Sequence, residues 1–249
     1  MKTPKKYTMQ RNTFSCLLLI IAIYLAASVP LVAQEKSPNV KVVGEMRKVM
    51  WEGKLEGVIK LDTISSKENV YGLGPVEFLT GEILMIDGKS YVSTVTSDST
   101  MKVEELESVK APFFAYDYID SWSDHSVPDT VRTLKQLESY LEVLTRQSLR
   151  PFMFKISGMV ETATIHIVNL PAGSKVSSPV QAHQGQIDYE LSNEQIDIVG
   201  FFSTEHKAIF THHDSNVHLH LITKDRQKMG HLDEVLFKEE SLILYLPLD

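Results

Sequence analysis

From residue 151 to the C-terminus this 249-residue chain reads as one β-segment after another, and that density of strands most restricts its fold. Apolar or alternating runs occupy residues 152–156, 162–168, 187–191, 196–202, 218–222, 231–237 and 242–246. So many strands with so little helix need a sheet closed on itself or two sheets packed face to face. Upstream, residues 81–93 spell a strand, an Asp87-Gly88 turn and a return strand, a strong local hairpin signal. Residues 41–43 open a first strand, 70–75 form a glycine-rich turn, and 112–116 read as another buried strand. Residues 46–59 mix apolar and charged side chains without a clean period, interrupted by Gly53 and Gly57. One long helix is predicted between Asp129 and Gln147, where Val131, Leu134, Leu137, Leu141 and Leu144 recur at three- and four-residue steps. Asp129, just after Pro128, is its expected N-cap. The expected class is α+β and β-rich: a mixed N-terminal sheet with a long helix, then a barrel-like C-terminal β half.

The first 34 residues stand apart. Lys2, Lys5, Lys6 and Arg11 precede an apolar core running from Cys16 through Ala27, with Pro30 and the small residues around Ala33 behind it. That is the order of a secretory signal peptide, so export to the periplasm or the medium is expected. An uncleaved signal anchor is the alternative, although Ser28 and Pro30 interrupt the stretch short of the roughly 20 apolar residues a stable span needs. No stable membrane span is expected after cleavage. Residues 35–249 then make one domain, with 35–150 and 151–249 as its natural halves. Cys16 is the single cysteine and lies in the leader, so the mature chain has no disulfide and no thiolate to serve as nucleophile or ligand. Loss of four basic residues takes the balance from 25 basic against 32 acidic to 21 against 32, a net charge of −11. With no basic patch, nucleic acid is excluded as a partner.

The chemistry concentrates in three histidines. His218 and His220 sit at i and i+2 of an alternating apolar run, so both rings leave one face of a strand. A polar turn at 223–229 leads back through Gly230 to His231, and a hairpin there brings the third ring beside the other two. Three imidazoles converging from two strands make an incomplete site for Zn²⁺ or a similar ion, with positions open to a substrate. The ordinary alternative for each ring is a hydrogen-bonded core or surface histidine. His212 and His213 lie in a polar stretch and read as solvated surface, while His125 and His206 carry no pattern. A cupin-like barrel also uses a His-x-His pair, but the further Glu and His it needs are not at the right steps here.

The order and wording of these pieces resemble acetolactate decarboxylase over most of the mature chain, from about Gly53 to Pro247. The resemblance is carried by Gly72-Leu73-Gly74, Gly81-Glu82-Ile83-Leu84-Met85-Ile86-Asp87-Gly88 and Ala111-Pro112-Phe113. It continues through Phe154-Lys155-Ile156-Ser157-Gly158, Val199-Gly200-Phe201, the run from His218 to Arg226, and Gly230-His231. It implies that His218, His220 and His231 hold Zn²⁺. It also implies a small-molecule substrate, a 2-hydroxy-3-oxo acid that chelates the ion through its hydroxyl and ketone oxygens. Loss of CO₂ would leave a metal-stabilised enediolate that a carboxylic acid protonates to chiral acetoin. Glu82 matches the family's glutamate, a carboxyl suited to the acid role when an apolar wall keeps it protonated, although Thr80 stands where the family has an aspartate.

Two departures bear on activity. The family arginine on the strand after Phe-Lys-Ile-x-Gly is replaced by His166, which lacks the bidentate fork that matches a carboxylate. The chain ends at Asp249, without the family's later glutamate. Arg146, Arg150 and Lys155 are weak candidates to substitute, and His183 and Gln184 fall in a polar segment with no assigned role. Three readings follow: a zinc-dependent acetolactate decarboxylase with Glu82 and His166 as catalytic residues, a metalloenzyme of the same fold that has drifted to another 2-hydroxy-3-oxo acid, and a non-catalytic metal or ligand binder. A homodimer is compatible with the chain, whose sequence does not fix an oligomeric state.

Overall fold

The computed structural model describes residues 40–64, 67–206 and 215–248 in addition to Thr3, so the leader and the His212-His213 pair lie outside the described residues. Ser37–Asp249 forms a single unit. Fourteen strands are described in chain order. The N-terminal ones are β1 (Lys41–Gly44), β2 (Ile59–Lys60), β3 (Val70–Pro75), β4 (Glu82–Ile86), β5 (Lys89–Ser97), β6 (Thr100–Glu105), β7 (Lys110–Ala111) and β8 (Phe113–Tyr118). Six of them form an antiparallel sheet in the order β1-β8-β3-β4-β5-β6, while β2 pairs with β7 alone. The expected Asp87-Gly88 hairpin joins β4 to β5, with both residues at positive φ (49° and 75°) as a two-residue turn of that hand demands.

The C-terminal strands are β9 (Trp122–Ser126), β10 (Phe152–Ile167), β11 (Ile187–Phe202), β12 (Val217–Thr223), β13 (Met229–Phe237) and β14 (Ile243–Pro247). Their order is β11-β12-β13-β10-β14-β9, and β11 also pairs with β10, so four strands curl into a partly closed barrel. Sequence predicts two pairs of short strands where the structure has two strands of 16 residues each, β10 and β11. The misleading punctuation was Ser157-Gly158. Ser157 Oγ donates across to Asp197 at 2.6 Å, and a Cβ at Gly158 would lie 2.4 Å from the Ser241 carbonyl. The small residues there admit close neighbours and do not end the strand. Length lets β10 pair with β11 on one edge and with both β13 and β14 on the other.

Helix boundaries were also displaced. The long helix is Leu134–Leu144, capped by Thr133 in a reciprocal box with Gln136, whereas Asp129 accepts the Glu240 N–H at 2.9 Å. A helix also occupies Met46–Glu52, where no clean period was visible, and it stops at Gly53 with φ of 62°. No helix among the described residues is long and apolar enough to cross a membrane. Between the sheets lies a core in which Leu73, Leu84, Phe113 and Ala115 meet Met153, Val199, Phe201, Ile222 and Met229. The long helix buries Leu137 and Leu141 against the other face of the second sheet.

Asp117 shares the inward face of β8 with Phe113 and Ala115. Burial pushes its carboxyl up to about 6, offset in part by the Tyr118 N–H and Lys41. The folded state therefore holds the proton more tightly than the unfolded chain. That stabilisation is full below pH 3.8 and is lost as pH rises through about 6. Asp117→Asn is expected to leave Tm nearly unchanged at pH 3.5 and to raise it by about 2–4 °C at pH 8, equivalent to about 1 kcal/mol. Thermal melts of both proteins at the two pH values check this, and an equal shift at both would refute it.

Candidate metal centre

The strand registers bring histidines from three strands into one row. His220 of β12 lies opposite His231 of β13, and His231 lies opposite His166 of β10. Directly opposed residues project to the same face, and His218 joins them two positions from His220. On β12, Val217, Leu219 and Leu221 point into the core behind the sheet, so His218 and His220 face the N-terminal sheet. Ring centroids are 5.4 Å apart for His218–His220, 5.2 Å for His218–His231, 5.6 Å for His220–His231 and 4.6 Å for His166–His231. All four rings are buried, and Phe113 stacks on His218 from the facing sheet.

Glu82 opens β4 in that facing sheet. A Cβ on the preceding Gly81 would meet the Ser93 carbonyl at 2.4 Å, so glycine alone lets the strand begin this close to its neighbour. The Glu82 Oε2 lies 3.5 Å from His220 Nε2, while Oε1 accepts the Val168 N–H at 3.3 Å. Burial pushes this carboxyl up to about 8, with the positive pull of His166 and the Val168 hydrogen bond offsetting only part of the cost.

Sequence reasoning missed Asp233. Thr164 pairs with Glu234 and Ile165 with Leu232, so Asp233 is the extra residue of a β-bulge. Its Oδ2 accepts from His166 Nδ1 at 2.7 Å and its Oδ1 lies 3.3 Å from His231 Nδ1. Burial alone would raise the Asp233 carboxyl, but the two histidines hold it well below the usual carboxylate range. Burial lowers the His166 pKa, yet the Asp233 hydrogen bond and charge outweigh it and the net shift is upward. The available signal was His231 and Asp233 at i and i+2.

His166, His231 and Asp233 offer ligand atoms within 4.8 Å of one another, a candidate metal-binding triad. Asp233 faces Nδ1 of both rings, at 2.7 Å for His166 and 3.3 Å for His231, and so orients them, with Nε2 of His231 turned away from it as a donor nitrogen for an ion. A set rich in imidazole nitrogen suits zinc and neighbouring first-row divalent ions. Asp233→Asn is expected to weaken divalent-ion binding by about 10–100-fold without unfolding the protein. Competition against a chromophoric chelator measures it, and an unchanged affinity would refute the orienting role.

A cavity of about 80 Å³ opens over this cluster, room for a small acid and not for a polymer. Val49 and Trp51 of the Met46–Glu52 helix, with Phe113 and Val168, supply apolar wall, while Glu82, His166, His218, His231 and His183 supply the polar groups. His183 follows the short helix Pro179–Ala182. Its Nδ1 lies 2.7 Å from the Pro179 carbonyl, its ring sits edge-on to His166 at 5.8 Å, and burial lowers its pKa. No arginine or lysine lines the cavity among the described residues. Arg150 stacks on Phe152 and Phe202, Lys155 sits among Tyr71, Trp122 and Tyr245, and Arg146 is exposed. His125 pairs with Ser123 on β9.

Residues 44–245 match the sequence model of the family described as alpha-acetolactate decarboxylase. The alpha-acetolactate decarboxylase of Brevibacillus brevis is 27% identical over 223 residues, which are 86% of this chain and 73% of that protein. Acetolactate decarboxylase from Bacillus subtilis subspecies spizizenii superposes with a TM-score of 0.68 at 20% identity, covering 84% of this chain and 86% of that one. A Staphylococcus aureus protein of unknown function, described as similar to alpha-acetolactate decarboxylase, superposes with a TM-score of 0.68 at 16% identity and the same coverage. At those identities the two structures speak for the fold: β-rich, with few helices and two large sheets.

Proposed function

The chain belongs to the alpha-acetolactate decarboxylase family, and from that premise we propose that it converts 2-acetolactate to acetoin and CO₂ with a zinc ion held by His218, His220 and His231. The observation that carries this reading is the carboxyl of Glu82, brought by one sheet to 3.5 Å from His220 on the other, at the floor of a small cavity. The three imidazoles, mutually 5.2–5.6 Å apart at their centroids, fit a single ion. When bound, the ion is a Lewis acid that draws charge onto the substrate ketone as CO₂ departs.

The chain's own residues do the rest. His166, kept protonated by Asp233, meets the substrate carboxylate where an arginine would otherwise stand. As the carbon–carboxyl bond breaks, its electron pair passes into an enediolate. Glu82, which burial holds protonated through neutral pH, delivers its proton to that carbon and is reprotonated from water. The balance is one acetolactate anion and one proton in, one acetoin and one CO₂ out. Because Glu82 approaches from the N-terminal sheet, the proton reaches one face of the intermediate. The basic and apolar leader supports the companion proposal that this enzyme is exported and works on acid that reaches it outside the cytoplasm.

The test is acetoin formation from racemic 2-acetolactate by the zinc-loaded protein. Turnover well above the spontaneous rate is expected, and a protein that binds one zinc yet makes no acetoin would overturn the proposal. The absence of arginine from the cavity favours one second reading, another 2-hydroxy-3-oxo acid as the preferred substrate. A panel of such acids assayed for released CO₂ separates the two.

A further inference from the structure

Resting on that reading of the site, we propose that His183 contacts the substrate and reads its C2 hydroxyl, accepting a hydrogen bond through Nε2. The argument begins with the partner of the other ring nitrogen. Nδ1 lies 2.7 Å from the Pro179 carbonyl, and a carbonyl can only accept. The proton of the neutral ring is therefore on Nδ1, and the lone pair is on Nε2. No described residue hydrogen-bonds to Nε2. The ring nonetheless lines the cavity with Glu82, His166, His218 and His231.

His183 also differs from those four in where it comes from. They stand on β-strands of the two sheets, whereas His183 sits on the turn that ends Pro179–Ala182, a short helix capped by Ser178 and started by Pro179. The Nδ1 contact ties the ring to that helix's own first turn, so its orientation is set locally. The polar groups of the cavity then divide by chemistry. His166 donates its Nδ1 proton to Asp233 and belongs to the donor side of the cavity, while His183 offers an acceptor. A 2-hydroxy acid carries one group for each. A plain 3-oxo acid without the hydroxyl has nothing to donate to this half-buried acceptor, and the lost hydrogen bond is the basis of discrimination.

The probes are 2-hydroxyisobutyrate and isobutyrate, which differ by that hydroxyl and cannot react. Calorimetric titration of the zinc-loaded full chain gives the affinity ratio. The wild type is expected to prefer the hydroxy acid. His183→Phe, which keeps a ring but has no acceptor, is expected to lower the preference about 5–10-fold while isobutyrate affinity and zinc stoichiometry stay within twofold. His183→Gln, which restores an acceptor oxygen, is expected to recover part of it. An unchanged preference in His183→Phe overturns the assignment and leaves the decarboxylase reading standing. Equal weakening of both acids also overturns it, because that is the mark of a merely structural ring. Failure of the wild type to prefer the hydroxy acid also overturns the assignment, while acetoin formation alone decides the decarboxylase reading.

Discussion

Replacing His220 with alanine is expected to strip the ion from the protein and abolish acetoin formation. His220 is 1% exposed and sits between His218 and His231 on its own sheet and Glu82 on the other. With it gone, two imidazoles remain, too few to hold zinc against the solvent at the affinity of a three-ligand site. We expect zinc content to fall from about one equivalent to under about 0.1, and turnover to fall by at least about 10³-fold, consistent with the scale of effects when a reacting group is lost. A second readout is thermal: zinc at about 100-fold over its Kd adds roughly 2.7 kcal/mol to the folded wild type and should add almost nothing to the variant. Retention of one tightly bound zinc by His220→Ala would place the ion elsewhere, with the His166, His231 and Asp233 group as the alternative.

Glu82→Gln carries the second large effect. Glutamine keeps the shape and the acceptor that receives the Val168 N–H, but it has no proton to give. We expect kcat to fall by about 10²–10⁴-fold, the usual contribution of a positioned general acid, with zinc content unchanged and KM moved little. The contrast with His220→Ala is the point of the pair: one variant loses the ion, the other keeps it and loses the proton. A kcat within threefold of wild type would remove Glu82 from the reaction.

The legible part of the site is the part written at period two. His218 and His220 share a strand face and His231 returns through a five-residue polar link at 224–228, so their convergence follows from the alternation and the turn. Glu82 was reached through resemblance, because nothing local distinguishes it from any glutamate at the start of a strand; only the packing of two sheets reveals its partner. Asp233 escaped because a bulge changes the register by one residue, and no pattern of apolar positions announces it. His183 escaped because its relation to the cavity is a tertiary one, made by a four-residue helix in a polar stretch. In the fold, the helix start moved to Thr133 because a reciprocal cap outranks a lone aspartate. The two 16-residue strands were cut short because small and polar residues that serve cross-strand contact look like turn formers.

The division of the site between two sheets has a consequence for handedness. The proposed ligands belong to the barrel and the proposed acid to the opposing layer, so on that reading the side from which the proton arrives depends on how the layers are stacked. A slide of one residue along a strand is roughly 3.4 Å, enough to carry a carboxyl past its target. The stack is keyed by Leu84, Phe113, Met153 and Phe201, none of which is an acid or an ion ligand. Truncating Leu84 to alanine would loosen that key while leaving every reacting group in place. Its first expected symptom, read by chiral chromatography, is a product drifting toward the racemate before the enzyme slows, which would tie the enantiomeric purity of the proposed reaction to the interlayer core.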